Sequence, residues 1–79
     1  MEVSVYRSLR RQDTYLLVPE ADALENVPEP LLEHFGEAHF SFTFTLTDNR
    51  SLQRIDPQAL REQLDTAGYF LQLPPPEQL

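Results

Sequence analysis

From Phe40 to Thr47 the chain alternates apolar and polar side chains without a break, FSFTFTLT. A period of two is the signature of a strand with one face in a core. Phe40, Phe42, Phe44 and Leu46 are therefore expected to be buried together, with Ser41, Thr43, Thr45 and Thr47 facing water. A strand wet on one side belongs near the edge of its sheet, where a covering helix does not reach. Two stretches nearer the start also read as strands. In EVSVYRS, Val3 and Val5 share one face and Tyr6 takes the other. In TYLLV, Tyr15 and Leu17 oppose Leu16 and Val18, and a strand apolar on both faces is central and covered twice. The polar LRRQD between them has a hairpin's length.

The pattern changes at PEPLLEHFG, where Leu31, Leu32 and Phe35 form a helical stripe. Pro28 and Pro30 fall in its first turn, where a missing N–H costs nothing, and Gly36 is placed as its cap. After the alternating strand, DNR turns the chain. DPQALREQLDTAG then reads as a helix with Asp56 as N-cap, Pro57 in the first turn and Gly68 at the end. Leu60, Leu64 and Ala67 line its expected inner face. YFLQL, Tyr69 to Leu73, is the last strand, and three prolines follow it. The order β-β-α-β-α-β predicts an α+β fold, a small, mainly antiparallel sheet with two helices. Residues 1–76 read as one domain and 77–79 as a short tail.

Composition narrows the class of molecule. At 79 residues the chain buries only about 60–65% of its unfolded surface. With 41% hydrophobic residues, five Phe and three Tyr, it still has the material for a core. The absence of cysteine removes disulfides, thiolate metal sites and thiol catalysis. The opening MEVSVYRS lacks the basic and apolar regions of a signal peptide, and no apolar run nears the length of a membrane span. A soluble cytoplasmic protein is the expectation. A net charge of −7 disfavours steering toward nucleic acid.

Several pieces of the chain carry a family resemblance: Tyr6-Arg7-Ser8 with Thr14-Tyr15-Leu16, Val27-Pro28-Glu29 with Phe35-Gly36, and Gly68-Tyr69 with Leu71-Gln72 before Pro74 and Pro75. In this order and spacing, from about Val3 to Pro76, they resemble the bacterial YcgL domain family. Two positions depart from its pattern: Gln12, with Asp13 one place late in the hairpin loop, and Ala38 where proline often stands. The resemblance implies an α/β/α sandwich in a proteobacterial cytoplasm, and it brings no established activity, ligand or catalytic residue. It also implies a loose link to RNA processing, through neighbouring genes for ribonuclease D.

The residues themselves offer little catalytic chemistry. His34 and His39 are five apart across a helix end, a poor spacing for metal, and a third ligand is wanting. No carboxylate sits in an apolar run that would raise its pKa; Asp56 reads as a cap and Glu29 as a partner of the helix dipole. Neither glycine belongs to a phosphate loop, and no serine to a nucleophile elbow. No cofactor, no metal and no enzymatic activity are expected. The six cations are all arginine. Arg7, Arg10 and Arg11 lie on or beside the hairpin, and Arg50 and Arg54 flank the third strand. They read either as solvating charge paired with Asp13, Asp48 and Glu20, or as an anion-recognising edge with Tyr6 and Tyr15 for stacking. Pro74, Pro75 and Pro76 read first as a strand stop, since proline brings no N–H to the ladder, and second as bait for a proline-recognising partner.

The leading expectation is a non-enzymatic module that binds an unknown protein partner. Its surface would comprise the hairpin edge (Tyr6, Arg7, Arg10, Arg11, Tyr15) and the tail (Tyr69, Gln72, Pro74, Pro75, Pro76). An accessory RNA-binding domain is the alternative, although the net charge counts against RNA. A minor hydrolase or ligand-binding domain ranks last.

Overall fold

The first two strands, β1 (Glu2–Ser8) and β2 (Tyr15–Pro19), form the antiparallel hairpin that the pattern predicts, in register from Val3 opposite Pro19 to Arg7 opposite Tyr15. The structure, a computed structural model, describes residues 1–47 and 56–74. Helix α1 (Glu29–Phe35) follows a run of turns, and strand β3 (Ala38–Thr45) returns along β1. Helix α2 (Pro57–Thr66) leads to β4 (Phe70–Gln72), which pairs with β2. The sheet runs β3-β1-β2-β4 and every pairing is antiparallel. The α+β class and the element order are as the sequence predicts.

Strand alternation sorts the core into two clusters on opposite faces of the sheet. Val3, Val5, Leu17, Phe44 and Leu46 pack with Leu60 and Leu64 of α2. Leu16, Val18 and Val27 pack with Phe35 of α1, joined by half-buried Leu31 and Leu32. The sheet is thus sandwiched between helices. Leu16, Leu17 and Val18 are all almost fully buried, as suits a strand covered twice. Asp56 caps α2 by accepting the N–H of Gln58, and Gly68 closes it at a positive φ. Ala67, expected on the inner face of α2, is instead its exposed C-cap.

Strand β3 is where pattern and structure part. It lies at the sheet edge as expected, but its phenylalanines do not share a face. The register with β1 shifts between Val5 and Tyr6, so that Val5 stands opposite Phe42 while Tyr6 stands opposite Phe40. One residue, Ser41, is left over as a β-bulge, and a one-residue slip reverses every side chain beyond it. Phe42 stays on the α2 side, with its ring 6.1 Å from that of Phe44. Phe40 crosses to the α1 side, where it meets Tyr6 edge-on at 5.6 Å. Both rings are 51% exposed, whereas Phe44 and Leu46 are buried. The expectation of four buried apolar residues on one face is corrected to two. Thr43 is exposed as expected, and its hydroxyl is 3.1 Å from that of Ser4.

Candidate functional site

The hairpin loop and the end of α1 form one unit. A helix leaves its last four carbonyls without intrahelical partners. In α1 these belong to Leu32, Glu33, His34 and Phe35, and each has a separate donor. Gly36 donates its backbone N–H to Leu32, and Arg10 donates Nη1 to Glu33 at 3.2 Å. Arg11 donates Nε to His34 at 3.0 Å, and buried Ser8 donates its hydroxyl to Phe35 at 2.6 Å. The Ser8 oxygen also accepts the backbone N–H groups of Arg10 and Arg11, which fixes the loop that presents both guanidinium groups. Gly36 has φ +83°, and a Cβ there would come within 2.8 Å of the Arg10 Cβ.

This assembly gives two candidate residues a structural role. Arg10 and Arg11 cap a helix, and a guanidinium near a helix C-terminus also favours the dipole. The hairpin itself is not an edge, because β1 and β2 are the two central strands. Tyr6 and Tyr15 lie on opposite faces, with the α1 and α2 clusters respectively, so they do not form one stacking platform. Tyr69 packs with the α1 cluster and is half-buried. Pro74 is exposed just past β4. Pro75, Pro76, Asp48, Arg50 and Arg54 lie outside the described residues.

What the fold does bring together is a row across all four strands. His39 stands opposite Arg7, Arg7 opposite Tyr15, and Tyr15 opposite Gln72. All four lie on the α2 face: Arg7 and His39 are exposed, while Tyr15, packed against the α2 cluster, and Gln72 are half-buried. The adjoining row is apolar, Phe42, Val5, Leu17 and Phe70. Sequence reading missed His39 and Phe42 as members of this surface, since the first reads as an ordinary solvent-facing side chain and the second as core. The nearest depression, of about 460 Å³ beside Arg7, Arg10, Asp13 and Tyr15, is open and polar, unlike the enclosed apolar pockets that hold small substrates. Among the described residues, no buried side-chain polar atom lacks a partner and no three metal-ligating side chains converge. No helix among them is long and apolar enough to cross a membrane.

Among the described residues, the outer edge of β3 is another exposed feature. Among the described strands β3 is hydrogen-bonded to β1 alone, and it presents eight residues, AHFSFTFT, to the outside. Exposed edges are usually blunted by lysine, proline or inward charge, and this segment has none of them. The bulge is its one such device.

Comparison with known proteins agrees with this chain's motifs. The sequence profile of the YcgL domain matches residues 3–75. The chain belongs to the YcgL domain family. A YcgL domain-containing protein of Pseudomonas fluorescens is 51% identical over 74 residues, covering 94% of this chain and 76% of that protein. A second, from Hydrogenovibrio crunogenus, is 43% identical over 75 residues, covering 95% and 77%. A third, from Saccharophagus degradans, is 40% identical over 76 residues, covering 96% and 84%. The capping unit gives this YcgL domain a physical account of its Ser8, Arg10-Arg11 and Phe35-Gly36 positions. They weld hairpin to helix, while the β3 edge and the exposed His39 and Arg7 take no part in that unit.

Proposed function

We propose that this YcgL domain is a non-enzymatic cytoplasmic interaction module, and that it takes up an extended segment of a protein partner along the open edge of β3. The observation that carries this is an eight-residue edge without lysine, arginine or carboxylate, with a half-exposed phenylalanine on each of its faces. Main-chain hydrogen bonds along such an edge supply affinity, and alternate side chains supply specificity. The opposite edge is a poorer acceptor. β4 has three residues and runs out to Pro74, which has no N–H to offer.

Amide hydrogen exchange on the domain, free and with its partner recovered from the source bacterium, tests the proposal. Protection gained over residues 38–45 is expected, together with loss of the partner when Phe40 and Phe42 are both changed to Lys. Protection confined to the hairpin loop or to Tyr69–Pro74 would refute it.

A second reading, an accessory RNA-binding domain, draws support from exposed Arg7 beside Tyr15 on the open part of the α2 face. It ranks lower, because the net charge is −7 and Arg10 and Arg11 are occupied as caps. Binding of an oligonucleotide with a salt slope that records several released counterions would reverse the order.

A further inference from the structure

Given strand addition at β3, on which the following rests, the rows of the sheet dictate what the added segment must carry. We infer that it presents two consecutive apolar residues followed by a carboxylate residue. A strand laid antiparallel to β3 runs parallel to β1, and each of its side chains extends a row that β1 and β3 already define. Beside Phe42 it extends the row containing Val5, on the α2 face. The next residue lies beside Phe40 and extends the row containing Tyr6, on the α1 face. Each of those phenylalanines is 51% exposed and needs an apolar neighbour to cover it. The third residue lies beside His39, in the row that continues to Arg7.

That row holds the imidazole of His39 and the exposed guanidinium of Arg7, and no carboxylate. Directly opposed side chains in neighbouring strands come within about 5 Å, and longer ones reach diagonally. A carboxylate in that position meets His39 first, and the long stem of Arg7 brings its fork within range. The segment therefore repeats the pattern of Val5-Tyr6-Arg7 with the charge of the third residue reversed. A second copy of this chain fits badly. Its own β3 has no carboxylate, and two chains of charge −7 repel.

Selection of a displayed library of random eight-residue segments on the purified full chain tests this, with Arg7→Glu as the companion protein. Arg7 is exposed, so the variant is expected to keep its melting temperature. Enrichment of apolar-apolar-Asp/Glu is expected on the natural chain. A shift of the third residue to Lys or Arg is expected on Arg7→Glu, with the original winners weakened on the order of fivefold. Enriched segments whose third residue is indifferent to Arg7→Glu would overturn this inference and leave strand addition standing. No enrichment at all, a stable dimer by sedimentation, or displacement of selected segments by an eight-nucleotide oligouridylate that needs Arg7 would overturn both.

Discussion

Phe42 and Phe44 share the α2 face of β3, two residues apart in a uniform pattern, yet only Phe44 is covered, and this difference can be measured. A phenylalanine carries about 150–250 Å² of surface to bury. Phe42 is 51% exposed, so its replacement by Ala gives up about 100 Å², an upper bound of about 2.5 kcal/mol at 25 cal/mol per Å². Water fills the space left behind, so no cavity term is added, and about 1–2 kcal/mol is expected. Phe44 is 9% exposed and lies against the α2 cluster. Its replacement by Ala loses nearly the whole ring and leaves a hole, at about 3–5 kcal/mol. With a urea slope of about 1 kcal/mol per molar, the first midpoint falls by about 1–2 M and the second by about 3–5 M. A domain of 79 residues has about 4–12 kcal/mol in total, so Phe44→Ala approaches the limit of folding. Phe44→Leu, at about 1–2 kcal/mol, provides a measurable companion. Equal losses for Phe42→Ala and Phe44→Ala in urea melts would mean that the α2 core covers both rings alike, and would refute the difference in exposure between them.

Three further outcomes follow from the capping unit and the turns. Ser8→Ala removes the buried donor to the Phe35 carbonyl and the part-buried acceptor of two backbone N–H groups, so a loss of about 1–3 kcal/mol is expected in the same melts; a loss below about 0.5 kcal/mol would mean that water replaces the hydroxyl. Gly36→Ala meets both a φ of +83° and the root of the Arg10 side chain, and should cost about 1–3 kcal/mol, with faster amide exchange at the end of α1. Ala23 has φ +49°, so Ala23→Gly should raise stability by up to about 1 kcal/mol, read as a higher thermal midpoint.

Local pattern alone was enough for the six elements, their order and both helix ends, because each has a signal within a few residues. Asp56 before Pro57 starts a helix, Gly36 and Gly68 end one, and Leu16-Leu17-Val18 has no polar face to turn to water. Family membership was legible for the same reason, in short motifs at fixed spacing. Three decisions lay beyond the reach of neighbouring residues. The bulge arises from the ladder between β3 and β1, and Ser41 carries no glycine-like mark to announce it. Arg10 and Arg11 look alike as solvent charges, anion ligands or caps until the end of α1 is brought to the hairpin loop, 23 residues away in each case. The row from His39 to Gln72 draws on four strands, and its members become neighbours only once the order β3-β1-β2-β4 is set. Backbone hydrogen bonding between distant strands decides that order, and alternation within a strand fixes which residues share a face while leaving open which strand lies alongside.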